Sequence, residues 1–338
     1  MVQSEHVLVI IQIFIGVVGV VGNATVCLVV RKLASEGGNV NVLIVYQACI
    51  DLLTSILLIG TAFTILFPPA SAPNNVVLGT MYCIFWHYRV ILWSSFTMST
   101  FNLLIITLER YIAVIYPIWY SHHFTRKVAT SLIVVAWAVA PLMQLVNGFT
   151  QLGYRDSKCF FPDVPRRIVA TQGVLLFSWE FLLPCVSMAF GFTRICIKLH
   201  QQHRRVGAAG VPSVSSRVVR TSTTTDPSDS TVAPANQVGE ISSTTAAEKA
   251  NRRTTKRHLN VTITLTIVFA VFVVCWSPDQ VMFLLKNLGV NLKYREVTHL
   301  KSFAIIMGQL NSICNPFIYA LRFKQYQNAI KKLFTRSF

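Results

Sequence analysis

Seven stretches of this chain are long and apolar enough to cross a lipid bilayer, and that count restricts its fold more than any single motif. They run at about residues 7–30, 41–67, 84–108, 128–150, 168–197, 259–285 and 299–321, and about 20 consecutive apolar residues suffice for one helical crossing. Backbone polar groups meet no water in hydrocarbon, so each stretch is expected to satisfy its own hydrogen bonds as a helix. Only 13% of the 338 residues are charged, about half the share usual in soluble domains. Lipid is therefore the expected solvent.

The basic residues set an orientation. Of the 30 Lys and Arg, nine (Arg89, Arg155, Lys158, Arg166, Arg167, Lys286, Lys293, Arg295 and Lys301) fall on one side of the seven spans, and the remainder fall on the other. Basic loops tend to stay cytosolic, so an outer N-terminus and a cytosolic C-terminus are expected. The net charge of +17 reads as a cytosolic face drawn to anionic lipid. Because these residues flank apolar spans instead of forming a soluble basic patch, nucleic-acid binding is not expected. The opening MVQSEHV has no basic n-region, so the first span is expected to remain as an anchor. Both Asn-x-Thr matches, at Asn23 and Asn260, sit in or at the cytosolic end of spans, and an unglycosylated exterior follows.

Six of the eight cysteines lie within spans, where a thiol behaves as a small hydrophobe. Cys83 and Cys159 fall on the outer side and suit a disulfide in an oxidising compartment. That bridge would pin the segment from about 151 to 167 over the mouth of the bundle; two unpaired thiols are the alternative. Residues 206–250 are rich in Ser, Thr, Ala, Gly and Pro, and are expected to form a disordered cytosolic loop. They serve as a solvated linker or as phosphorylation substrate together with the RRTT at Arg252–Thr255.

Several polar residues lie inside the spans. Asp51 is near the middle of span two, Asn23 is in span one, Ser99 is in span three, and Asn311, Ser312 and Asn315 are in span seven. Either each makes a local hydrogen bond between helices, or Asp51 and its oxygen-bearing neighbours form a small hydrated cation pocket. A transporter could use Asp51 for coupling, but neither paired broken helices nor an inverted repeat is evident. The eight histidines scatter over span ends and loops, which gives catalysis and metal ligation little support, so the chain is not expected to be an enzyme.

GNATV (Gly22–Val26), NVLIVYQACIDLL (Asn41–Leu53), LERYIAVIYP (Leu108–Pro117), Trp137, Pro184, FVVCWSP (Phe272–Pro278) and NPFIY (Asn315–Tyr319) occur in order along the spans. In this the chain resembles the rhodopsin-like, or class A, G-protein-coupled receptors over nearly its whole length. The resemblance implies an all-α membrane fold, a seven-transmembrane helix bundle with a short amphipathic eighth helix, built as one receptor domain over 1–338. It further implies the plasma membrane, a heterotrimeric G protein on the cytosolic side, receptor kinases and arrestin as further partners, and no required cofactor beyond an allosteric sodium ion at Asp51, Ser99, Asn311 and Asn315. The activation residues implied are Glu109, Arg110, Tyr111, Phe272, Trp276, Pro278, Asn315, Pro316 and Tyr319. Glu109 would restrain Arg110 until helix six swings outward, and Arg110, at the cytosolic end of span three, would then meet the G protein. The segment 322–338 places Phe323, Tyr326, Ile330 and Phe334 at helical spacing among basic residues, which suits a helix lying in the inner interface.

Three departures from the family pattern stand out. The inner end of span six, NRRTTKRHL, is uniformly basic, with His258 where the resemblance implies an acid that would hold Arg110; basal signalling is expected. Phe192 stands where the family has a tyrosine after the helix-five proline, and Tyr326 where it has a phenylalanine.

The amine-binding aspartate of the family is absent. Counting back from Arg110 places Leu92 at its position, and counting forward from Cys83 places Val90 there. The retinal-linking lysine is replaced by Gln309. The implied ligand lining is Leu92, Trp93, Phe96, Gln144, Asp279, Gln280, Phe283, Ile305 and Gln309. Asp279 and Glu180 could meet a cationic group, and Arg89, Arg155, Lys158, Arg166 and Arg167 a carboxylate. This outfit resembles the peptide-receptor branch, so a neuropeptide or other short peptide is the expected ligand, with a lipid or another small molecule as the alternative.

Overall fold

The computed structural model describes residues 2–34, 39–67, 72–209, 236–290, 294–322 and 326–328. Its elements are α1 (Val2–Ala34), α2 (Asn39–Leu66), α3 (Val76–Met81), a π-helical stretch Tyr82–His87, α4 (Val90–Ile115), α5 (Pro117–His123), α6 (Arg126–Val139), α7 (Leu142–Gln151), the strands β1 (Gly153–Arg155) and β2 (Lys158–Phe160), α8 (Arg166–Phe177), a second π stretch Ser178–Leu182, α9 (Leu183–Ala209), α10 (Asn236–Asn287) and α11 (Tyr294–Arg322). Seven spans result, because α6 continues into α7 and α8 runs through the π stretch into α9.

The interior is an apolar cluster with buried polar residues set between the helices, and the outside is apolar. Phe14, Ile56, Val134, Phe190, Val274 and Phe317 are exposed, as side chains facing lipid should be, while Asn23, Gln47, Asp51, Ser99 and Asn102 are enclosed. The most enclosed span is α4, with 72% of its apolar window covered against 22% for the α8–α9 span. It is the axis around which the others pack. Amide and indole bonds join neighbouring spans: Asn23 donates to the Ser312 carbonyl at 2.9 Å, and the Trp179 indole donates to the Ala140 carbonyl at 3.1 Å. That carbonyl sits where the fourth span breaks before Pro141, which has no N–H to continue the ladder.

Two expected boundaries are corrected. Span three was expected at 84–108, but its regular helix is Val90–Ile115. Apolar residues after Arg110 carry the helix on until Tyr116, at φ −124° and ψ 60°, where the following Pro117 disfavours helical backbone. The segment 206–250, expected to be a loop, is helical over 206–209 and 236–250; Ala246, Ala247, Glu248, Lys249 and Ala250 are strong helix formers. Residues 210–235 lie outside the described set, as does most of the expected eighth helix, of which 326–328 are described as helical.

Candidate functional site

A two-residue excess between Cys83 and Arg110 made the register of span three ambiguous in the sequence. The π stretch Tyr82–His87 and a left-handed Arg89, at φ 60° and ψ 30°, take up that excess before α4 begins. A left-handed non-glycine residue is unfavourable and persists only where its surroundings hold it. Arg89 is half-buried, and burial holds its pKa below the usual arginine value. From there α4 places Trp93, Phe96, Thr97 and Thr100 on one side of a cleft whose other walls are Glu180, Trp276 and Gln280.

Glu180 reaches this cleft from the π stretch of the fifth span, a local widening that is common at functional sites. Thr97 donates to its carboxylate at 2.9 Å, and the Gln144 and Gln280 amides face the same carboxylate. The aromatic wall is continuous: Phe96 meets Trp276 edge-on at 5.1 Å and Trp93 meets Trp276 at 6.5 Å. Of the expected lining, Trp93, Phe96 and Gln280 border the cleft and Gln144 faces its carboxylate, whereas Leu92 is enclosed in the core at 1% exposure. Val90 lies instead against Gly148 of α7. Asp279, Phe283 and Ile305 are half-buried, and Gln309 is buried. The sequence offered Glu180 as a partner for a cationic group but not its place in the cleft, since nothing local announces a π stretch.

Below Trp276, Phe272 is fully enclosed and meets Phe181 at 6.3 Å. Phe192 packs on Phe269 at 5.6 Å and lines an apolar cleft with Leu103, Met188 and Leu265. Its missing hydroxyl leaves that cleft without a polar handle from helix five. Pro278 and Pro316 lie inside α10 and α11, and Tyr319 is buried at 1% exposure.

Asp51 gathers partners from three helices. Ser99 donates to one carboxylate oxygen at 2.7 Å, Asn315 to the other at 2.8 Å, and the Gln47 amide donates to both at 3.1 and 3.0 Å. The same Gln47 nitrogen lies 2.6 Å from the Ser99 hydroxyl, and Asn102 donates to the Gln47 carbonyl oxygen at 2.8 Å. A sodium ion needs oxygen ligands facing it. Here amide and hydroxyl donors already cover both Asp51 oxygens, so in this arrangement the residues do not fit the expected ion. Asn311, expected as a ligand, is buried with no bond to Asp51.

At the far end of α4, Arg110 is only 8% exposed, and both its Nε and a terminal nitrogen bond the Glu109 carboxylate. It therefore turns inward onto Glu109, the restraint that the resemblance implies. Tyr111 packs edge-on to Tyr116 at 6.2 Å. Tyr120 of α5 donates to Glu109, and Asn39 of α2 donates to the Tyr120 hydroxyl at 3.3 Å and to the Phe124 carbonyl at 2.7 Å. Burial, reinforced by the Glu109 carboxylate, pushes the Tyr120 pKa up to about 12. The hydroxyl is thus a proton donor throughout the physiological range. The side chains of 251–258 lie outside the described set, and with them the expected contribution of His258.

At the opposite end, Cys83 and Cys159 form a disulfide. It ties β2 to the base of span three, and the antiparallel β1–β2 pair turns tightly through Asp156 and Ser157, both at positive φ. Ser157 also bonds Asn74 at 2.8 Å, and Tyr154 bonds the Pro73 carbonyl. The hairpin is thus fastened at both edges of the bundle mouth.

A family model described as the 7 transmembrane receptor (rhodopsin family) matches residues 22–319. The chain is 24% identical to the octopamine receptor beta-2R of Chilo suppressalis, over 97% of this chain and 79% of that protein. It is 25% identical to the Allatostatin-A receptor of Bombyx mori, over 95% and 77%, and 22% identical to the adenosine receptor A2a of Canis lupus familiaris, over 98% and 73%. Their names point to different ligands.

Proposed function

This chain belongs to the rhodopsin family of seven-transmembrane receptors, and from that membership we propose that it answers a short extracellular peptide. The protein is a G-protein-coupled receptor of the membrane and not an enzyme. The observation that carries the peptide reading is that basic residues outnumber the acids Asp156 and Asp163 at the disulfide end, whereas acids stand deeper on the spans. Arg89, Arg155, Lys158, Arg166 and Arg167 stand at the disulfide end, and Glu180 and Asp279 stand on the spans beneath. A ligand bearing both a carboxylate and an amine, spaced apart, satisfies both sets, as a short peptide does and a compact neutral molecule does not.

In this reading the disulfide end faces outside. Ligand in the cleft bears on Trp276, α10 pivots at Pro278, and a cytosolic crevice opens around Arg110 for the G protein. The ligand shifts this equilibrium only by its difference in affinity for the two states; reversing a 1:99 ratio takes about 5.5 kcal/mol. By linkage, bound G protein tightens ligand binding by the same factor.

The test is guanine-nucleotide exchange on a heterotrimeric G protein reconstituted in vesicles with this chain, challenged with pooled short peptides. Exchange raised by a peptide fraction, and lost in Arg110→Ala, is expected. Exchange raised only by lipid extracts would overturn the peptide reading.

A further inference from the structure

Glu180 is a half-buried carboxylate to which no described side chain supplies a counter-ion. Among the described residues the one ion pair is Arg110 with Glu109, and no described Lys, Arg or His pairs with Glu180. Its neighbours are neutral donors, Thr97 at 2.9 Å and the Gln144 and Gln280 amides, and the like charge of Asp279 also bears on it. An ionised carboxylate in such a place is costly unless a cation joins it.

A second observation is independent of that charge. The Gln280 side chain is 4% exposed, and its carbonyl oxygen has no hydrogen-bond partner although it borders the same cleft. An unpartnered buried acceptor beside an unpaired carboxylate is a site short of N–H donors. The remaining walls, Trp93, Phe96 and Trp276, are aromatic faces that attract cations. The cavity is about 10 Å³, roughly the room of one water and far below the roughly 300–1,000 Å³ of sites that hold a whole drug-sized ligand, so it takes one compact group.

From these features we infer that the cleft between the third, fifth and sixth spans is a primary-ammonium site, with Glu180 as the counter-ion and the Gln280 carbonyl as a second acceptor. The anionic partner for a ligand amine has thereby moved from helix three, where Leu92 and Val90 are apolar, to helix five. The ammonium can belong to a peptide N-terminus or to a free amine. The buried Trp276 indole N–H, also without a partner, favours the terminus, where a carbonyl oxygen lies three bonds from the ammonium nitrogen. The inference rests on the receptor reading above only for that choice of source.

The experiment measures thermal stabilisation of the purified full chain in lipid nanodiscs, without G protein. The probes are 2-phenylethylamine, the dipeptide amide Phe-Gly-NH2 and the N-acetyl form of each. Stabilisation by a free-amine probe, absent for its acetylated form and needing about tenfold or more probe in Glu180→Gln, is expected; Glu180→Asp should lie between, and Gln280→Leu should weaken binding less. Equal effects of free and acetylated probes, or an unchanged response in both Glu180 variants, would overturn the site. Preference for the dipeptide amide supports the peptide terminus, whereas equal or better binding of phenylethylamine keeps the ammonium site and removes the peptide source. Nucleotide exchange with the same probes separates the two readings: binding that depends on Glu180 but moves no exchange leaves the site standing without the signalling proposal.

Discussion

The Gln47 amide nitrogen stands 3.1 and 3.0 Å from the two oxygens of Asp51 and 2.6 Å from the Ser99 hydroxyl, which places a side chain of this protein where an ion would otherwise sit. Asn102 holds Gln47 in turn. The buried carboxylate is satisfied from within the bundle, one helical turn away on its own helix.

From this follows a sodium response near zero. The melting temperature of the purified chain should be the same in sodium chloride and in choline chloride at equal ionic strength. Gln47→Leu removes the amide and leaves Ser99 and Asn315, so it should create a sodium-dependent gain, about 1.4 kcal/mol if sodium is at ten times its dissociation constant. Asp51→Asn in that background should abolish the gain. Sodium stabilisation of the unmodified chain would sink the idea.

Tyr120 tests the opposite end. It donates to Glu109 beside Arg110, so Tyr120→Phe should loosen the resting arrangement and raise basal nucleotide exchange without reducing the amount of receptor at the surface. Its pKa, raised to about 12 by burial and the Glu109 charge, also sets a pH window. The neutral hydroxyl is favoured by the fold, so its contribution is complete below the unfolded value of about 10 and is lost as pH rises towards 12. The thermal stability of the unmodified chain should fall across that window more steeply than that of Tyr120→Phe; parallel curves would count against the contact.

The spans, the disulfide and the Glu109–Arg110 pair were legible because each depends on something the chain displays directly: run length, side of the membrane, or adjacency. What escaped depends on tertiary packing. Residues 82–87 and 178–182 have no composition that distinguishes a π turn from an α turn, yet one settles the register of α4 and the other brings Glu180 to the cleft. Gln47 looked like any amide available for helix packing. Its role appears only when Asp51, Ser99 and Asn102 converge on it. Leu92 lies in the core cluster, since counting fixes a position along a helix but not which neighbour covers it.

The Cys83–Cys159 bridge closes a separation of 76 residues, for which chain entropy alone predicts a stabilisation of about 4 kcal/mol. Membrane insertion already restricts the unfolded chain, so Cys83→Ser with Cys159→Ser should lose less than that. The larger effect should fall on ligand access, because without the bridge the hairpin is held by non-covalent contacts such as those to Ala72, Asn74 and Pro73. Probe binding should weaken several-fold while the far-ultraviolet circular dichroism is unchanged. A double variant that binds every probe as before would show that the hairpin is held without the bridge.

Arg110 has one ionic partner among the described residues, Glu109, and the inner end of helix six offers His258 within a run of basic residues where the family supplies an acid. A single described carboxylate must then hold the arginine inward against the attraction of a G protein for it, and the sequence offers no acid on the inner end of helix six to share that task. Basal exchange in cells expressing this chain should exceed that of mock-transfected cells and vanish in Arg110→Ala. His258→Glu adds such an acid and should lower basal exchange, while Glu109→Gln removes the existing one and should raise it. Surface expression must be matched, since unpairing a buried charge can cost about 3–5 kcal/mol of stability. Background-level exchange in the unmodified chain, unchanged by His258→Glu, would mean that packing around Arg110 keeps the crevice shut without any acid on helix six.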